Sequence, residues 1–176
     1  MSDIDLLNES LAGEHFGIAA YDAALGSGLL YEPTADVAGA FQSDHKRHRD
    51  LLAEQIAARG GTPVAALASD DYAKSYPPLT TAAEILAYAT QLEAGAARSS
   101  IASVADYEDR TLALLAAQIG GVEAQHWAVL LAATGGNPVP SPIIELDGMA
   151  HTGFATESMM SADTGDEHPA EMEMKS

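Results

Sequence analysis

Along the first part of the chain, apolar residues recur at steps of three and four, at Leu7, Leu11, Ile18, Tyr21 and Leu25, which is the spacing of one face of an α-helix. The pattern predicts a helix from about Asp3 to Leu25, stopped by Gly26-Ser27-Gly28. A second stripe, Val37, Phe41, Leu52 and Ile56, predicts a helix that opens near Thr34, after Pro33, and closes at Gly60-Gly61 with Thr62-Pro63 beyond. From Thr62 to Leu79 the period is lost. This stretch, ending in Tyr76-Pro77-Pro78, is too long for a hairpin turn and reads as a crossover along a bundle. A third helix opens on the capping-box pattern Thr81-x-x-Glu84 and runs to about Val104. The fourth starts between Asp106 and Asp109, turns Leu112, Ala116, Ile119, Leu130 and Ala133 inward, and ends at Gly135-Gly136 before Asn137-Pro138.

The two halves echo each other. Both close on nearly the same phrase, GGTPV and GGNPV, and Leu7 and Glu14 reappear as Leu86 and Glu93 at an offset of 79 residues. Two helical hairpins joined by a crossover give an all-α four-helix bundle over residues 1–140. From residue 141 to 176 the chain is rich in acids and small polar residues with no amphipathic stripe, and reads as a mobile tail. Five of the six methionines lie there, with His151 and His168. Such groups suit copper(I), but the acidic composition favours a plain tail.

Composition narrows the chemistry. There is no cysteine, so disulfides, thiolate catalysis and sulfur-held metals are excluded, and any metal must be held by oxygen and nitrogen. A net charge of −18 argues against nucleic acid and anionic membranes as partners and leaves metal cations as the natural ones. No stretch reaches the ~20 apolar residues of a membrane span, and the N-terminus lacks the features of an export signal. As written the chain reads as soluble and cytoplasmic; an exported form that has lost its signal stays open.

Several polar residues interrupt the apolar stripes. Glu14 falls between Leu11 and Ile18 on the inward face of the first helix, and Glu93 holds the equivalent place in the third. The fourth helix carries Glu123 and His126, a Glu-x-x-His pair whose spacing puts both side chains on one face. On the second helix the stripe Phe41, His45, His48, Leu52 turns both histidines inward, with Asp44 beside them. Glu14 and Asp44 stand 30 residues apart across the first turn, and Glu93 and Glu123 stand 30 apart across the second, so four helices place polar groups in one layer. Buried ionised carboxylates cost several kcal/mol each unless a cation or extensive pairing offsets them. Lys46, Arg47 and Arg49 lie on other faces of their helix, and Arg98 on another face from Glu93, which leaves a shared metal as the expected partner.

With these residues in place, the chain resembles the ferritin-like superfamily, whose members hold two iron or manganese ions with one Glu from each of two helices and a Glu-x-x-His from each of the other two. Glu14, Glu93, Glu123 and His126 match that pattern, and His48 matches the second histidine. The segments LAGEHFGIAAYDAAL and DHKRHRDLLAEQIAARGGTPV are similar to a divergent bacterial ferritin-like branch. The resemblance implies Glu14 and Glu93 as terminal carboxylates, Glu123 as a bridge, and His126 and His48 as nitrogen ligands. Where the second bridging Glu belongs there is His45, or Asp44 if that helix shifts by one residue. An imidazole there removes a charge and a bridge, which makes a mononuclear, zinc or manganese site competitive with a two-iron centre.

The implied function is a metal protein using iron or manganese, or zinc, with ferroxidase or peroxide-handling chemistry as the enzymatic option. The alternative is a structural or partner-binding bundle with a vestigial site. Whether the chain forms a homo-oligomer is left open. His15, one residue past the stripe, reads as a surface or interface histidine. Tyr21 and Tyr88 read as packing residues or as groups that tune the site. Gly120-Gly121 reads equally as a bulge aiming Glu123 and as a tight contact.

Overall fold

The computed structural model describes residues 1–146, which form five helices and no strand: α1 (Asp3–Gly26), α2 (Glu32–Ala58), α3 (Ser69–Ala73), α4 (Ala82–Ser103) and α5 (Arg110–Ala133). The four long helices are those that the hydrophobic period predicts. The short α3, inside the crossover, is not, because five residues are too few to show a period. The expected tail lies outside the described residues from 147 on, and residues 141–146 hold no helix.

Local chemistry sets the helix ends. Ser2 and Asp5 form a capping box at the start of α1, and Thr81 and Glu84 form the predicted one on α4. Asp109 caps α5 through Thr111 N at 2.8 Å. The second helix starts at Glu32, earlier than predicted, with Tyr31 as an N-cap that makes no side-chain bond and Pro33 in its first turn, where a missing N–H does no harm. The repeated Gly-Gly phrase is one motif used twice. Gly60 (φ 76°) and Gly135 (φ 82°) take the left-handed conformation that follows a helix end. Gly61 N donates to Ile56 O at 3.0 Å and Gly136 N to Leu131 O at 2.8 Å, the long bond of a Schellman cap in each case.

α1 pairs with α2, and α4 with α5, as two antiparallel hairpins. The crossover runs back along α1, held by Asn8, which donates to Thr62 O at 3.3 Å and accepts from Val64 N at 2.7 Å, and by His15, whose Nε2 lies 3.2 Å from Val64 O. Phe16 packs edge-on against Tyr72 and Tyr76 of the same segment. Beside the start of α1, Asp3 accepts from the backbone of Glu108 and Asp109, both at 2.9 Å, and Arg59 pairs with Asp109 at 2.5 Å. The starts of α1 and α5 and the end of α2 therefore share one end of the bundle.

At that end the core is built from Leu6, Leu7, Leu11, Leu52, Ile56, Leu112, Ala116 and Ile119. A second apolar cluster, Tyr21, Ala38, Phe41, Ala89 and Leu130, fills part of the other end. Two residues expected on inward stripes are exposed: Val37 is 39% accessible, and Ala133 is exposed as well. Both line an open cavity of about 590 Å³ at this end, so they meet solvent there instead of the packed neighbours their stripes predict. Within α5 the helix passes through Gly120 and Gly121 as regular α-helix, which removes the bulge reading. A Cβ on Gly120 would lie 2.9 Å from Ile101, so that glycine serves close approach of α4 to α5, whereas Gly121 faces open space.

Candidate metal centre

Between the two apolar clusters lies a polar layer to which every long helix contributes. Glu14 comes from α1, His45 and His48 from α2, Glu93 from α4, and Glu123 and His126 from α5, and all six are buried. Glu123 is 0% and Glu93 1% accessible. The i, i+3 spacing on α2 and α5 stacks each pair on one helical face, and rigid neighbours above and below fix their height. The common layer expected from the equal spacing across the two turns is present, with His45 rather than Asp44 as the α2 residue facing Glu14.

The layer divides into two compartments that share residues. Glu14, His45, His48 and Glu123 bring one possible ligand atom each within 4.8 Å of one another, and so do His45, Glu93, Glu123 and His126. His45 stands between them, with Nδ1 2.8 Å from Glu14 Oε2 and Nε2 3.3 Å from Glu93 Oε1. Glu123 spans them as well: Oε1 lies 2.9 Å from His48 Nδ1, and Oε2 lies 3.2 Å from His126 Nδ1. The first of these contacts is not aligned as a hydrogen bond, and both His48 Nδ1 and Glu123 Oε1 are buried without a hydrogen-bond partner.

Pairing inside the layer corrects one expectation. The lysines and arginines do point elsewhere, with Lys46 on Gln42, Arg49 on Asp50 and Arg98 over Trp127. The carboxylates are nevertheless not short of bases, because the three histidines pair with them. Burial pulls against the charged form of each imidazole, but the surrounding carboxylates prevail and hold His48 and His126 up at about 9 and His45 well above its usual 6.5. Burial would likewise raise Glu14 and Glu93, yet the imidazole N–H donors hold both below the usual carboxylate value. For Glu123 burial wins and its carboxyl is pushed up. Three carboxylates facing three such imidazoles can balance charge with protons alone.

The structure places His45 and Asp44 differently. His45 lies inside the layer, whereas the Asp44 side chain is 53% accessible and reaches only the outer nitrogen of His126, with Oδ2 3.1 Å from Nε2. Asp44 thus contacts an imidazole whose other nitrogen faces Glu93 and Glu123. Three further residues shape the layer. The Tyr21 hydroxyl donates to Glu93 Oε1, and Phe41 stacks on His126 with ring centroids 3.9 Å apart. Gly17 is the third. A Cβ on it would lie 3.1 Å from the His45 ring, so the absence of a side chain makes the room that His45 occupies. Sequence reasoning passed over Gly17, although a glycine three residues after Glu14 on a helix is an available signal. Tyr88 lies away from the layer, packed with Tyr76.

Residues 2–136 match the family model described as a ferritin-like domain. The chain belongs to this family. No curated protein matches it. For a ferritin-like chain the architecture above is the expected one, a helical bundle with a buried carboxylate and histidine cluster at mid-height whose donors are placed so that they can hold a metal ion. None of the chain's described helices is long and apolar enough to cross a membrane.

Proposed function

We propose that this protein binds one or two divalent transition-metal ions in the centre of its bundle, iron or manganese by preference and zinc as the non-redox option. The observation that carries the reading is that two buried four-donor compartments meet at Glu123 and His45, where His48 Nδ1 and Glu123 Oε1 face each other at 2.9 Å as an ion pair not aligned as a hydrogen bond. Buried polar atoms without an aligned hydrogen bond are rare, and an ion coordinated by both would offset their desolvation. With two ions bound, Glu14 and His48 would hold one, Glu93 and His126 the other, and Glu123 and His45 would serve both; a single ion would draw on one of the two sets. A donor set of carboxylate oxygens and imidazole nitrogens suits iron, manganese and zinc. An iron or manganese pair would supply one-electron redox chemistry toward oxygen or peroxide, the basis for a role in oxidative stress. The chain's own contribution is to orient His126 through Asp44, to fix Glu93 through the Tyr21 hydroxyl, and to exclude bulk water by the apolar clusters on both sides. The working unit we assign is the bundle over residues 1–140, with the acidic segment outside it.

A second reading, a bundle with a vestigial site, is favoured by the self-pairing of carboxylates and imidazoles. Elemental analysis and calorimetry separate the two. The metal reading expects roughly one to two ions per chain, a melting temperature that rises with added metal, and loss of metal in Glu123→Ala. Absence of a tight site, together with unchanged metal content in Glu123→Ala, would establish the vestigial reading.

A further inference from the structure

The bundle end that carries Val37 and Ala133 is hollow. Its cavity of about 590 Å³ falls inside the roughly 300–1,000 Å³ of small-molecule sites. The space arises because positions where helices would normally interdigitate bulky side chains are alanines, among them Ala20, Ala24, Ala38 and Ala89. Tyr21 and Phe41 belong both to the cavity wall and to the cover of the polar layer, so the cavity lies directly over the metal-centre residues. No Lys, Arg, His, Asp or Glu lines it, in a chain whose net charge is −18.

We propose that this cavity is a binding site for a neutral, apolar small molecule. Leaving such a volume without a guest forgoes the dispersion contacts and water release that filling it would provide. The walls decide the class of guest. A carboxylate or other anion would be desolvated with no cation to meet it, inside a strongly acidic protein, and a cation would find no carboxylate in the walls. A neutral hydrocarbon-like molecule, carrying at most a hydroxyl that could meet a wall hydroxyl such as that of Tyr76, meets neither penalty.

Fluorescence titration of the full-length chain with N-phenyl-1-naphthylamine, a neutral apolar probe, tests this. The expected result is saturable binding at one probe per chain with micromolar affinity, displacement by 1-octanol, and at least tenfold weaker displacement by octanoate. Ala24→Phe, which places a ring in the cavity from a half-buried wall position, should weaken binding at least tenfold while the circular dichroism spectrum is kept. Should that variant fail to fold, the alcohol and carboxylate comparison on the unmodified chain still decides. Failure of the probe to bind would overturn the proposal, as expected if residues beyond 146 or a second copy already cover the cavity. One probe per two chains, octanoate competing as well as octanol, or undiminished binding in folded Ala24→Phe would overturn it too. The titration is run on metal-stripped protein, so it succeeds or fails independently of the metal reading.

Discussion

Gly17 has no side chain, yet it decides where His45 can lie. Replacing it with alanine should gain about 1 kcal/mol in helix propensity and offset that gain against a Cβ 3.1 Å from the imidazole. The expected outcome for Gly17→Ala is a melting temperature within a few degrees of the parent with metal affinity reduced about tenfold, read by calorimetry; unchanged affinity would mean that His45 is not a ligand. His45 and Asp44 can be told apart in the same assay. Because both nitrogens of His45 face carboxylates while Asp44 touches only the outer nitrogen of His126, His45→Ala should lower the number of ions bound. Asp44→Ala should keep that number and weaken affinity by roughly 10–100-fold, as loss of an orienting carboxylate does. His45→Glu, which restores a carboxylate, should favour a second hard cation. Loss of stoichiometry in Asp44→Ala alone would reverse the assignment.

Single residues matter here because whole helices hold them at one height. Each hairpin is anchored outside the site, α4 by its Thr81–Glu84 capping box and α2 and α5 by their matching Gly-Gly ends. Thr81→Ala removes the acceptor for Glu84 N at 3.2 Å and should destabilise the protein by about 1 kcal/mol in denaturant unfolding, with metal stoichiometry untouched. The same substitution would then serve as a control for variants in the layer. Gly120→Ala is different, since its Cβ would meet Ile101 at 2.9 Å across the α4–α5 interface, and a shift there reaches Glu123 within one turn. Helix packing, rather than a bulge in α5, is what aims that carboxylate.

At the scale of the whole molecule the buried layer ties stability to pH. His48 and His126 are held at about 9 against an ordinary 6.5, so between these values the folded chain binds more protons than the unfolded one. Their contribution is fully present below about 6.5 and is lost as pH rises through about 9. Glu14 and Glu93, held low, contribute above the ordinary 4.5 and lose that contribution as pH falls. The groups facing these imidazoles are Glu14 from α1, Asp44 from α2, Glu93 from α4 and Glu123 from α5. Metal-free protein should therefore melt highest in mildly acidic buffer and progressively lower from pH 6.5 to 9.5. Added metal, which replaces those protons, should flatten the decline and bind more tightly as pH rises. Melting curves in chelator and in excess Mn(II) check this, and a chelated protein whose melting temperature does not change over that range would refute it.

Much of this was written in the order of residues. The stripes placed four helices, the Gly-Gly phrases and Thr81-x-x-Glu84 placed their ends, and the interruption of those stripes by Glu14, His45, His48, Glu93, Glu123 and His126 marked the polar layer. These are local or periodic properties, and a helix converts spacing directly into direction. Pairing across helices was not readable in that way. That His45 divides the layer in two, that Asp44 reaches His126 from outside, and that the histidines serve as the bases the carboxylates need all depend on distances between chain segments 30 or more residues apart. Periodicity carries no information about those distances. The cavity belongs to the same class: Val37 and Ala133 sit on inward stripes, but whether an inward stripe meets a neighbour or a void is set by the volumes of side chains on other helices.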